Sequence, residues 1–123
     1  SDEEGVITGT LDLFLANATN LTLTELVEWT VKSGGLAVPA HVDRPAGGLL
    51  ERLGFIPSLP HPVLEVSPRY DRERDPLDLA EHYRLLIGSD AHAPEDIGRC
   101  CTTLDVTART ARGILDVLRA PVP

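Results

Sequence analysis

Gly35-Leu36-Ala37-Val38-Pro39-Ala40-His41-Val42-Asp43-Arg44 and Leu85-Leu86-Ile87-Gly88-Ser89-Asp90-Ala91-His92 are the two stretches whose reading decides the fold. In each, a short apolar run passes directly into a cluster of imidazole and carboxylate side chains. Such a run, bounded by glycine, reads as a buried strand of a parallel sheet. The polar cluster then stands at the strand's end. Imidazoles and carboxylates gathered at strand ends point to a metal site at the open edge of an α/β sheet.

Working outward from these stretches, strand and helix signals alternate, which predicts an α/β fold of mainly parallel strands with flanking helices. Thr22 and Glu25 form a capping-box pattern ahead of Leu23, Leu26, Val27, Thr30 and Val31 on one helical face, and Gly34 closes that helix. A strand is expected at 36–40, a short helix at 47–53 and a strand at 63–66. The prolines at 57, 60 and 62 exclude regular structure between the last two. Asp75-Pro76 has the form of an N-cap and first-turn proline, predicting a helix to about Arg84 that feeds the strand ending at Gly88. A further strand is expected at 104–106, and Ala111, Ile114, Leu115 and Leu118 space a closing amphipathic helix. Residues 6–15 read as a strand or hairpin, so 1–20 is a hairpin or irregular lead-in to a single domain over 1–123.

Composition bounds the function. The chain has 123 residues, 42% of them hydrophobic, enough for one modest core. Eleven basic residues against nineteen acidic give a net charge of −8, which disfavours nucleic acid as a partner. No stretch approaches the roughly 20 apolar residues of a membrane span. The only cysteines, Cys100 and Cys101, are adjacent and poorly placed to pair with each other, so a reducing, cytoplasmic setting is expected.

In an extended segment, residues two apart project to one side, so Asp90 and His92 can enter one site. The plainer alternative is that Asp90 caps a short helix at 94–97 and His92 lies on the surface. His41 alone reads as a hydrogen-bonded polar residue or a ligand. Parallel strands deliver their C-terminal ends to one face, which lets His41, Asp90 and His92 converge. Oxygen and imidazole donors suit zinc, manganese or iron. Glu65, at the end of the strand at 63–66, either supports that site or touches substrate, or is a solvated or capping carboxylate. Arg44 either grips an oxyanion such as phosphate, as guanidinium geometry allows, or pairs with Asp43. His61 and His82 read as surface residues, and the two cysteines as free thiols rather than redox groups.

The segments Gly35 to His41 and Gly88 to His92 resemble the later motifs of the PHP family, named for polymerase and histidinol phosphatase, whose last motif is Ser-Asp-x-His. The resemblance implies the C-terminal half to two-thirds of a distorted (β/α)7 barrel, with divalent metal ions at the C-terminal ends of its strands. It also implies hydrolysis of phosphate esters by metal-activated water, with His41, Asp90 and His92 as metal ligands and a small phosphorylated molecule as substrate. The family's opening His-x-His strand and its other early ligands have no counterpart here. The resemblance therefore implies a fragment, one part of a split enzyme or a degenerate relative, inactive without the N-terminal motifs. Exposed strand edges would then be covered by the missing PHP segment or by a homo-oligomer. The rival expectation is a non-catalytic PHP-like scaffold serving regulation or assembly.

Overall fold

The computed structural model describes residues 4–10, 12 and 18–122. Its first helix, α1 (Leu23–Lys32), opens at the expected capping box. The Thr22 hydroxyl oxygen accepts from the Glu25 amide at 3.2 Å, and the Glu25 carboxylate accepts from the Thr22 amide at 2.8 Å. Two otherwise orphaned amides are satisfied by one reciprocal pair. The Thr22 amide and hydroxyl also hold the Glu25 carboxyl below its usual pKa. A short α2 (Leu49–Leu53) ends at Gly54, whose φ of 75° is a left-handed cap suited to glycine.

Two strands form the regular sheet. They are β1 (Val63–Val66) and β2 (Arg84–Ile87), paired in parallel with Val63 opposite Arg84 and Val66 opposite Ile87. Parallel pairing requires a crossover, supplied here by a 3-10 turn at Arg72–Arg74 and α3 (Leu79–His82). The closing helix is α4 (Ala111–Arg119), capped by the Thr110 hydroxyl. Arg119 ties it to the end of α1, donating to the carbonyls of Gly34 and Gly35 at 2.8 and 2.9 Å.

The expected strand at 36–40 is extended but not a regular strand. It nonetheless runs beside β1: the Glu65 amide donates to the Pro39 carbonyl at 2.9 Å, and the Glu65 carbonyl accepts from Val42 at 3.0 Å. A regular parallel ladder would place that second bond on residue 41. His41 instead adopts φ 46°, so an extra residue is accommodated opposite Glu65, as in a β-bulge. The expected strand at 104–106 does not form either. Thr102 takes the adjoining place with its side chain, whose oxygen accepts from the Ile87 amide at 2.7 Å and donates to the Ile87 carbonyl at 3.0 Å. One threonine hydroxyl thus satisfies a single residue of the β2 edge and no ladder follows.

The helix expected from Pro76 to Arg84 is confined to α3. The Asp75 carboxylate accepts from the Leu77 and Leu79 amides at 3.0 and 2.6 Å and from the Tyr70 hydroxyl at 2.7 Å, so it satisfies the first amide of a helix that starts three residues further on, with Asp78 at the N-cap. Residues 6–10 and 12 carry no strand, and the rest of the expected 6–15 element lies outside the described residues. The core is the cluster Val42, Leu64, Val66 and Leu79, with Leu49, Leu50, Tyr70 and Leu85 packed on it. The architecture among the described residues is α/β with a small parallel sheet, and no barrel is formed. No helix among them is long and apolar enough to cross a membrane.

Candidate functional site

The two polar clusters meet where the sheet ends. Val42 is fully buried in the core, and its carbonyl accepts from the Leu50 amide at 3.0 Å, so the backbone around His41 is anchored on both sides. Gly48 lies beneath this loop, where an added Cβ would collide with the Arg44 carbonyl oxygen. Only glycine allows that close approach. Asp43 does not pair with Arg44. Its carboxylate accepts from the Ser67 amide at 2.6 Å and the Ser67 hydroxyl at 2.7 Å, tying the loop after His41 to the loop after β1.

His41 and Asp90 are the centre of the arrangement. His41 Nε2 stands 3.4 Å from Asp90 Oδ2, with 18% and 35% of the two side chains exposed. Both residues adopt left-handed backbone, at φ 46° and 48°, which costs a non-glycine residue on the order of 1 kcal/mol each. Strain at both strand ends is what turns these two side chains toward each other. At 3.4 Å the pair exceeds a well-formed N–H···O bond. Two donors each about 2.0–2.2 Å from a tetrahedral metal lie roughly 3.3–3.6 Å apart, so the spacing suits a shared cation.

Glu65 lies on the other side of the imidazole, its Oε1 3.9 Å from His41 Nδ1. That nitrogen is buried and has no hydrogen-bond partner among the described residues. A histidine that ligates through one ring nitrogen commonly donates the other to a carboxylate, the place Glu65 occupies. Gly88 makes room for it, since an added Cβ would come within 3.3 Å of Glu65 Oε1. His92 stands apart. Its side chain is 82% exposed, its Nδ1 is 2.7 Å from the Asp90 backbone oxygen, and the same nitrogen is 4.0 Å from Asp90 Oδ1. The left-handed Asp90 breaks the extended run in which the two side chains would have projected together.

Arg44 Nη1 is 3.9 Å from Asp90 Oδ2, a loose contact on a half-exposed side chain. Arg44 and Arg69 line a cleft of about 500 Å³ together with His41, Asp43, Ser67 and Asp90. Arg69, in the loop after β1, carried no motif signal. Only the packing of that loop against residues 41–44 brings it to the site. His82 is exposed as expected, Cys100 is half-buried and Cys101 exposed, and both thiols are free.

The residues present fit a cation in part. His41 and Asp90 converge with metal-ligand spacing, but among the described residues no group of three or more histidine, cysteine or acidic side chains is placed to hold a metal ion.

No curated protein and no solved structure matches the chain. Residues 75–122 match the family described as PHP-associated. The matched segment contains Asp90 and His92, while His41, Arg44 and Glu65 precede it. The similarity to that PHP-associated family covers this C-terminal segment, less than half of the chain.

Proposed function

We propose that the chain is the C-terminal part of a PHP-type metal-dependent phosphoesterase, contributing His41 and Asp90 to a centre whose remaining donors come from elsewhere. The observation that carries this reading is the 3.4 Å approach of His41 Nε2 and Asp90 Oδ2 across two left-handed strand ends. Glu65, 3.9 Å from the other nitrogen of the His41 ring, is the carboxylate nearest to receive its proton when the ring binds a metal, and Arg44 lies beside Asp90 within guanidinium reach of a phosphate. His92 is exposed, with Nδ1 on the Asp90 backbone oxygen and Nε2 left for an additional ion. A zinc, manganese or iron ion bound there would supply Lewis-acid polarisation of a phosphate ester and of the attacking water. The chain's own part is to hold one side of the ion, to position the substrate phosphate and to wall the cleft with Ser67 and Asp43.

One observation favours the rival reading of a non-catalytic scaffold: a third donor is missing among the described residues. Turnover of an aryl phosphate and bound-metal content, measured for the chain alone and for the chain joined to a PHP N-terminal segment bearing a His-x-His strand, decide between them. The enzyme reading expects metal-dependent turnover only in the joined form, lost in Asp90→Asn. Turnover by the chain alone would overturn its dependence on further donors. A joined form with neither metal nor turnover would leave the scaffold.

A further inference from the structure

The outer edge of β2 is open. In the parallel ladder Arg84 and Leu86 turn their backbone groups to β1, beginning with the Arg84 amide on the Pro62 carbonyl at 2.7 Å, so Leu85 and Ile87 face outward. Thr102 satisfies Ile87 with its hydroxyl. The outward amide and carbonyl of Leu85 have no hydrogen bond among the described residues. Beside them runs a groove of about 340 Å³ walled by Tyr70, Tyr83, Leu85, Ile87 and Val122. Arg84 also lines it. Its buried Nε has no partner among the described residues, and its Nη2 reaches the Pro121 carbonyl at only 3.4 Å. An unpaired strand edge beside apolar surface is a template for a further strand.

The chain also carries a strand without an edge. Thr103-Leu104-Asp105-Val106 has strand-forming composition but no regular structure, and none of the four residues makes a hydrogen bond or ion pair among the described residues. Thr102 meets Ile87 through its hydroxyl, in the place where a ladder would put backbone groups. While those two bonds stand, the segment that follows joins no ladder on its own β2.

We infer that the outer edge of β2 is an interface between two copies of this chain, each laying its 103–106 segment antiparallel on the β2 of the other. Opposing Leu104 to Leu85 gives the open amide and carbonyl their partners and sets the Leu104 side chain on the groove side. The same register places Val106 opposite Tyr83 and Asp105 opposite Arg84. A carboxylate without a partner then meets a guanidinium short of acceptors. A parallel arrangement would set Thr103 opposite Arg84 and lose that match. Each copy offers one edge and one strand, so a two-fold dimer makes both exchanges at once.

Sedimentation of the full chain over a range of concentrations tests the interface. Wild type is expected to dimerise reversibly, and Asp105→Arg and Arg84→Asp each to weaken the dimer at least about tenfold. Mixed in equal amounts, the two variants are expected to dimerise with each other, because each presents the charge that the other requires. Asp105 is exposed and outside the core, so Asp105→Arg tests the contact without disturbing β2. Amide exchange in the wild type gives a readout that depends on neither variant. The Leu85 amide is expected to exchange at least about tenfold more slowly in the dimer than in the monomer, while Ile87 is protected in both. A chain that stays monomeric at millimolar concentration, a dimer indifferent to Asp105→Arg, or a Leu85 amide already protected in the monomer overturns the interface. The last result would mean that the chain's own segment covers the edge.

Discussion

The clusters at 41–44 and 89–92 begin alike in sequence, each a polar quartet after an apolar run, and end differently in space. The first is built into the core through Val42, through the Glu65 carbonyl and through Asp43 on Ser67. The second has the contact of His92 with its own Asp90 carbonyl, and it reaches the first cluster through the Asp90 carboxylate beside His41 and Arg44. The difference lies in the residue between the polar ones. Val42 is a large apolar side chain with a cavity to fill, whereas Ala91 is small and exposed. Burial of one intervening residue therefore separates an anchored half of the site from a solvent-exposed half.

The comparison breaks most readily at its anchor. Val42→Asp buries a carboxylate without a partner and is expected to destabilise by at least about 3 kcal/mol in urea unfolding, while Ala91→Asp stays within about 0.5 kcal/mol. Equal losses at the two positions would show that the clusters are anchored alike. Next in size is Asp43→Ala, expected to cost about 1.5–3 kcal/mol because Ser67 loses charge-assisted bonds. Ser89→Ala, in the second cluster, makes no such loss.

A smaller effect lies in the clasp behind the first cluster. Tyr70→Phe removes its hydroxyl bond to Asp75 and should cost about 1 kcal/mol. Burial acts to raise the Asp75 pKa, but hydrogen bonds from Tyr70 and from the Leu77 and Leu79 amides outweigh it, and the pKa is lowered from 3.8. Asp75 thus contributes stability that is present above the ordinary carboxylate pKa and lost as pH falls through its depressed folded value. An acid titration of unfolding should show that loss at higher pH in Tyr70→Phe. Tyr70 itself titrates above its ordinary value, chiefly through burial and then through Asp75. Its contribution is present below about pH 10 and declines as pH rises beyond it. The smallest change expected is His92→Ala, within about 0.5 kcal/mol of wild type because the ring is mostly in solvent.

Features set by neighbouring residues were legible in the sequence. The capping box at Thr22 and Glu25, the helix around Ile114 and Leu118, and the strand before Gly88 all depend on local spacing. Strand status at 36–40 and 104–106 was not, because a strand is defined by its partner. A left-handed His41 and a threonine hydroxyl at Thr102 each replace a ladder that composition alone promised. Asp75 looks like the N-cap of a helix beginning at Pro76, but the N-cap is Asp78, and Asp75 instead takes the Leu77 and Leu79 amides ahead of a later start. At the site, the expectation that parallel strands share one open end named His41, Asp90 and His92, with Glu65 on the same face; His41 and Asp90 meet there, whereas the left-handed Asp90 leaves His92 mostly in solvent. Arg69 was invisible because no spacing rule relates a loop arginine to a cluster 25 residues earlier.

The central claim is that His41 and Asp90 share a cation, and zinc titration of the ¹⁵N-histidine-labelled full chain tests it most directly. The account predicts that the His41 Nε2 resonance moves to a metal-bound position with Nδ1 protonated, that Asp90→Asn weakens the response at least tenfold, and that His92→Ala retains it. A zinc response at His92 with His41 unmoved, or an unchanged His41 response in Asp90→Asn, would contradict it.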